Sequence, residues 1–197
     1  MVTVVVASHN KKKAIEMQGI LAPLKARVIT LGEAGIQDVP EETGSTFAEN
    51  AYIKAKAAFE ATGLAVIADD SGLCVDALDG QPGVYSARYG GFETDRERND
   101  HLLRQMKDIE NRKARFACAV VCLVPQADGT ARRIDACGEC GGEILNAPRG
   151  DGGFGYDPLF YRPDFGKTMA ELAPEEKNRI SHRGAALRGL LEQWPDA

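Results

Sequence analysis

"LAVIADDSGL", Leu64 to Leu73, sets two adjacent carboxylates directly behind an apolar run. Four to eight apolar residues bounded by turn signals read as a strand buried on both faces. Burying two neighbouring negative charges is costly unless a cation or strong donors compensate them. In an extended chain, consecutive side chains point to opposite faces. Asp69 and Asp70 therefore cannot share one site as neighbours. The expectation is that one of them faces a site while the other orients the turn expected at "DDSG" or caps backbone N–H groups. A surface turn with both carboxylates hydrated is the simpler alternative.

Working outward, Thr46 and Glu49 form a capping-box pattern, and Ala48, Ala51, Tyr52, Ala55, Ala58 and Phe59 follow at helical spacing. Before that helix lies a polar loop, "GEAGIQDVPEETG". "VTVVVA" at the N-terminus and "ARVITL" read as strands, and Ala14, Met17, Leu21 and Leu24 form a helical stripe between them. Downstream come a "GQPGVYS" turn region and a helix opening at Thr94 with Glu97 as its box partner. A hairpin over 114–124 and 131–137 turns at "PQADGT". From Ser181 the tail is helical, with Leu187, Leu190, Leu191 and Trp194 on one face. Strands alternating with helices predict a mixed α/β layered domain, with no linker to divide it.

The chain has 197 residues, 44% hydrophobic and 27% charged, with a net charge of −5. That length suits one domain with a sizeable core. The acidic balance argues against nucleic-acid and polybasic membrane partners. The N-terminus lacks signal-peptide order and no apolar stretch reaches transmembrane length, so a soluble cytoplasmic protein is expected. The five cysteines are an odd count and are expected to stay thiols in a reducing compartment. Cys137 and Cys140 have C-x-x-C spacing, but the other zinc pair would be Cys118 and Cys122. Those two lie in the apolar run "RFACAVVCLV" and read as small hydrophobes in a core strand.

Two helix starts break an electrostatic rule. Lys11, Lys12 and Lys13 follow the expected cap Asn10, and His182 and Arg183 follow Ser181. Cations in a first helical turn cost about 0.3–1 kcal/mol each. Either water and salt screen them, or an anion bound at the helix end reverses the sign. Two such starts in an acidic chain favour the anion. "SHNKKK" has neither the glycine nor the GK[ST] ending of a P-loop. Carboxylates from separate loops, one of Asp69 and Asp70 and the pair Glu41 and Glu42, opposed to phosphate-binding cations describe a Mg²⁺–polyphosphate site. "GDGGFGYDPLF", Gly150 to Phe160, adds glycines for close backbone approach and Phe154 as a ring face for a base. Alone it reads more readily as a structural turn with a core aromatic.

Taken together, "ASHNKKK", "TFAENAYIKAKAA", "ADDSGLCVDALDGQPGVYSARY", "GGFGYDPLF" and "ELAPEEKNRISHRGAAL" resemble, in this order, the inosine/xanthosine triphosphate pyrophosphatase family. The resemblance covers about Ala7 to Leu187. It implies one two-lobed domain over residues 1–197, with a long central mixed sheet flanked by helices and an interlobe nucleotide cleft. It also implies a homodimer and Mg²⁺ dependence. By the same resemblance Ser8, His9, Asn10, Lys11, Lys12 and Lys13 form the phosphate-binding element, with His9 where a glycine is common. Glu41 and Asp70 hold the metal, Asp70 is also the proton acceptor, and Ser71 contacts substrate. Phe154, Gly155, Tyr156, Asp157, Lys177, His182 and Arg183 meet the nucleotide.

The function expected from this is Mg²⁺-dependent hydrolysis of ITP, dITP or XTP between the α and β phosphates, releasing monophosphate and pyrophosphate. Lysines and metal would neutralise the leaving group while Asp70 positions or deprotonates water. A pyrophosphatase for another modified nucleotide and a non-catalytic nucleotide sensor are the alternatives.

Overall fold

The computed structural model describes residues 2–38 and 40–194, so Val39 of the expected polar loop lies outside the described residues. Among the described residues seven strands run in chain order as β1 (Thr3–Val6), β2 (Arg27–Thr30), β3 (Ala65–Val75), β4 (Lys113–Pro125), β5 (Ala131–Ile144), β6 (Phe160–Arg162) and β7 (Lys167–Thr168). Five α-helices accompany them: α1 (Lys11–Leu21), α2 (Phe47–Thr62), α3 (Asp95–Gln105), α4 (Pro174–Ile180) and α5 (His182–Leu191). The strand order is β2-β1-β3-β4-β5-β6-β7. β1 pairs in parallel with β2 and β3, whereas β5–β6 and β6–β7 are antiparallel. The sheet is thus mixed, as the alternation of elements predicts.

The chain forms two compact units, one of residues 1–70, 118–138 and 182–197, the other of 71–117 and 139–181. β3, β4 and β5 contribute residues to both.

The first unit has a core on each face of its strands. Val4, Val6, Ile67, Cys118, Val120 and Cys122 pack with Met17 and Leu21 of α1 and Leu187 and Leu190 of α5. Residues of the opposite parity, Val5, Ala7, Val66, Ala68, Val121 and Leu123, pack with Ala51, Ala55 and Ala58 of α2. Period-two alternation on the strands, met by helical stripes on both sides, produces these layers. Cys118 and Cys122 are buried members of the first core, as their apolar setting suggests, and burial pushes both thiols up to about 12.

Helix starts follow their chemistry. Asn10 caps α1 by accepting from Lys12 N and Lys13 N. Thr46–Glu49 and Thr94–Glu97 close complete capping boxes on α2 and α3. In the second unit, Leu102 and Met106 pack with Leu73, Phe116, Tyr156, Leu159 and Phe160 in one core.

Three expectations need correction. β3 does not turn at "DDSG" but continues through Asp69, Asp70 and Ser71 to Val75. Both carboxylates find cations where they are, so the chain has no need to surface there. β5 runs past Cys137 to Ile144, and three positions of strand put Cys137 and Cys140 on opposite faces, one exposed and one buried. They cannot ligate one ion together. Finally, a separate helix α4 precedes the expected tail helix. Pro174 opens it at a position where its missing N–H costs nothing, and Glu175 and Glu176 complement the first turn.

Candidate active site

Alternation along β3 decides the site. Asp69 has the parity of Ile67 and points toward α1 and α5, while Asp70 has the parity of Ala68 and points toward α2. Asp69 is fully buried, and its Oδ2 lies 3.3 Å from Lys13 Nζ and 3.0 Å from Arg183 Nη2. Arg183 Nε also donates to it at 3.2 Å, while Nη1 donates to Glu16 of α1 at 2.5 Å. Burial pushes the Asp69 carboxyl upward, but Lys13, Arg183 and Lys54 more than reverse this and hold it far below the usual carboxylate range. The same contacts explain the two charged helix starts. Lys13 in the first turn of α1 and Arg183 in the first turn of α5 share one buried carboxylate.

The α5 start is seated by Gly138 of β5. A Cβ on that residue would collide with the His182 carbonyl oxygen and the Ala186 amide, so only glycine allows strand and helix this close.

Asp70 has a different environment. Asn50 of α2 donates to its Oδ2 at 3.2 Å, and Lys54 Nζ, one helical turn on, lies 3.4 Å from Oδ1. Lys54 also reaches Glu42 Oε1 at 2.6 Å. Asn50 Oδ1 accepts from Gly44 N at 2.8 Å, tying the acidic loop to the helix that holds Asp70. Burial raises the Asp70 carboxyl and Glu42 adds to the rise, and the partial compensation from Lys54 and Lys13 leaves it above the ordinary value. For Lys54, burial opposes the charge, but Asp70, Asp69 and Glu42 outweigh it and raise the ammonium.

In the second unit, Asp157 Oδ2 accepts from Lys177 Nζ at 2.5 Å and from Phe154 N at 2.9 Å. The same ammonium stands 4.6 Å from the centroid of the Phe154 ring. A donor, an acceptor and an aromatic face are thus assembled from one short loop and one residue of α4.

Of the residues singled out from sequence, Lys13, Asp70 and Arg183 converge around β3 within the first unit. Phe154, Asp157 and Lys177 converge in the second. Ser8 is half-buried, and His9, Asn10, Lys11 and Lys12 are exposed at the start of α1. Ser71 is half-buried on β3, and Tyr156 and His182 are buried. Glu41 is exposed, whereas its neighbour Glu42 is the carboxylate that shares Lys54 with Asp70. Sequence reasoning missed Glu16, Asn50 and Lys54. Asn50 and Lys54, four apart on α2, would have been visible as polar positions on the stripe that otherwise holds Ala51, Ala55 and Ala58.

The carboxylates supply hard oxygen donors of the kind a small divalent cation takes. Among the described residues no three His, Cys, Asp or Glu side chains gather into a ready-made cage.

Fold and site together define a mixed α/β protein with a lysine-compensated carboxylate pair. The chain belongs to the Ham1 family, whose model matches residues 4–193. It is 54% identical over 195 residues to the dITP/XTP pyrophosphatase of Thermus thermophilus, covering 98% of this chain and 92% of that protein. The structure of a HAM1 protein from Coxiella burnetii is 44% identical, with 98% of this chain and 100% of that one covered and a TM-score of 0.86. For the Ham1 protein of Staphylococcus aureus the identity is 41%, coverage 97% of each chain and the TM-score 0.84.

Proposed function

We propose that this protein is a nucleoside triphosphate pyrophosphatase that hydrolyses non-canonical purine nucleotides such as dITP and XTP to monophosphate and pyrophosphate. The observation that carries the reading is the buried Asp70 carboxylate, held by Asn50 at 3.2 Å and set 3.4 Å from the ammonium of Lys54, in surroundings whose burial raises it above an ordinary carboxylate. A carboxylate of raised pKa is a better proton acceptor near neutral pH than an exposed one. Membership of the Ham1 family and 54% identity to a dITP/XTP pyrophosphatase support the same reaction.

Asp70 takes the proton of the attacking water, and Asn50 and Lys54 fix its orientation. Lys13, with Lys11 and Lys12 at the same helix start, meets the triphosphate together with Ser8, His9 and Asn10. The N–H groups of the α1 N-terminus add to that attraction. Asp70 and Glu41 would hold Mg²⁺, which would supply charge neutralisation for the phosphate oxygens. Glu42 keeps Lys54 in place. Phe154 stacks on the purine, and Lys177 and Asp157 offer a donor and an acceptor to its edge, with Gly155, Tyr156, Ser71 and His182 completing the nucleotide contacts. Arg183, buried with its guanidinium on Asp69 and Glu16, holds the ion-pair cluster instead of the nucleotide expected for it from sequence. A homodimer in the cytoplasm, acting on free nucleotides and not on nucleic acid, is part of the same proposal. Among the described residues no helix is long and apolar enough to cross a membrane.

The test is pyrophosphate release from ITP, dITP, XTP, GTP and ATP with Mg²⁺. Release from the first three at rates far above the last two is expected. Orthophosphate as the first product, or equal rates on all five, would overturn the reading.

A further inference from the structure

The loop that carries Phe154 is gripped from outside by a helix with no part in the site described above. Gly155 donates its N–H to Asp95 Oδ2 at 2.7 Å, and its carbonyl accepts from Asn99 Nδ2 at 3.1 Å. Asp95 and Asn99 stand one turn apart on α3 and so face the same way. The two bonds hold the peptide planes on either side of one α-carbon.

Besides these, the Asp157 amide donates to the Phe154 carbonyl at 3.2 Å across the turn, and nothing packs against the α-carbon itself. Gly155 has φ +61°, in the left-handed region, and a Cβ built on it would meet no heavy atom within 4 Å. A glycine without packing is the most freely rotating residue in a chain. Rotation about it would swing Phe154 relative to Tyr156, whose hydroxyl is anchored on the Ser86 carbonyl at 3.0 Å.

The grip is itself braced. Arg98 Nη2 holds Asp95 Oδ1 at 2.5 Å and its Nη1 donates to the Phe92 carbonyl at 2.8 Å, which leaves Asp95 Oδ2 for Gly155. Asn99 is nearly buried, and its Oδ1 has no hydrogen-bond partner among the described residues. Burying an amide with one end unmatched is unfavourable. What compensates it here is the bond from its other end to Gly155.

We infer that Asp95 and Asn99 are positioning residues for base recognition: by clamping both peptides of Gly155 they fix the Phe154 ring and the adjoining Asp157–Lys177 pair. This rests on the proposed function, in which that group reads the purine. The clamp acts on base selection, and the phosphate chemistry around Asp70 is independent of it.

The experiment compares wild type with Asp95→Ala, Asp95→Asn, Asn99→Ala and Thr94→Ala, measuring KM and kcat on ITP and ATP, the melting temperature, and the Gly155 amide NMR shift. Thr94→Ala weakens the cap of the same helix without touching Gly155, so it reports what simple loss of α3 stability does. Asp95→Ala and Asn99→Ala are expected to raise KM for ITP about tenfold, the worth of one good hydrogen bond, with kcat within about twofold. The ITP/ATP ratio of kcat/KM should fall about as far, and the Gly155 amide should shift in Asp95→Ala. Asp95→Asn, whose amide oxygen still accepts from Gly155, should restore most of the ratio. An unchanged ITP/ATP ratio in both alanine variants overturns the inference, as does a Thr94→Ala variant that loses the ratio equally. A wild type without preference for ITP overturns the reading of the site, and the inference with it.

Discussion

Asp69 and Asp70 are covalent neighbours neutralised from opposite sides of one strand, Asp69 by Lys13 and Arg183 and Asp70 by Lys54. The first is sealed in an ion-pair cluster, and its charge is strongly favoured by its surroundings. The second is held in a setting that disfavours its charge.

Removing the two charges should therefore act in opposite directions on stability. Asp69→Asn leaves Arg183 and Lys13 short of a buried carboxylate, a defect worth about 3–5 kcal/mol when one partner of a buried pair is deleted. The melting temperature should drop by on the order of 10 °C. Asp70→Asn keeps an acceptor for Asn50, and relieves an unfavourable charge, so its melting temperature should equal or exceed that of wild type while turnover is lost. Calorimetry and a pyrophosphate assay on both variants check this. Matching stability losses would mean that the two carboxylates play the same structural role.

The capping box of α2 carries a pH dependence with a definite sign. Hydrogen bonds from the Ser45 hydroxyl and amide and the Thr46 amide hold Glu49 below its ordinary value of 4.5. A depressed carboxylate contributes stability above its unfolded value and loses it as pH falls through the folded one. Glu49→Gln keeps the box but cannot ionise. The melting-temperature gap between wild type and Glu49→Gln should be constant near neutral pH and close steadily below pH 4.5. A gap that widens in acid would reverse the assignment.

Much of this arrangement was legible beforehand, and for identifiable reasons. Thr46–Glu49, Thr94–Glu97 and Asn10 are local signals, and each caps the helix it announces. The parity argument separating Asp69 from Asp70 needs only an extended chain. What was hidden depends on distance along the chain. Arg183 is 114 positions from Asp69, so the cation that makes Asp69 tolerable could not be read from its neighbourhood. The turn expected at "DDSG" followed from that gap, because without partners two carboxylates belong in water. Asp95 and Asn99 look like ordinary polar positions of a solvated helix until Gly155, 60 and 56 residues away, is brought against them.

Glu41 and Glu42 can be separated experimentally. Glu42 engages Lys54 and Glu41 is exposed. If Glu41 joins Asp70 in holding Mg²⁺, Glu41→Gln should raise the Mg²⁺ concentration for half-maximal activity about tenfold or more, since only one or two carboxylates hold the ion. Glu42→Gln should instead lower kcat by loosening Lys54, with little change in the Mg²⁺ requirement. A Mg²⁺ titration of both variants decides the matter. The reverse pattern would assign the metal to Glu42.

Base discrimination gives the strictest test of the second group. Hypoxanthine and xanthine present a 6-oxo acceptor beside an N1–H donor, whereas adenine presents a 6-amino donor beside an N1 acceptor. Lys177 donates and Asp157 accepts, and the two lie 2.5 Å apart beside the Phe154 ring. Adenine would set donor against donor and acceptor against acceptor. A site built for buried hydrogen bonds rejects such a mismatch by about 10⁴-fold. Lys177→Met removes the donor while keeping much of the side chain's bulk, so it should lower kcat/KM for ITP by about 10²-fold or more and change ATP far less. The ratio between ITP and ATP then collapses, mainly through ITP. Arg183→Lys, by contrast, disturbs the cluster around Asp69, and should lower the melting temperature while leaving more of that ratio in place. Measuring kcat/KM on ITP, XTP, GTP and ATP for both variants separates these effects. If Lys177→Met loses activity on all four in equal proportion, Lys177 supports the loop and does not read the base.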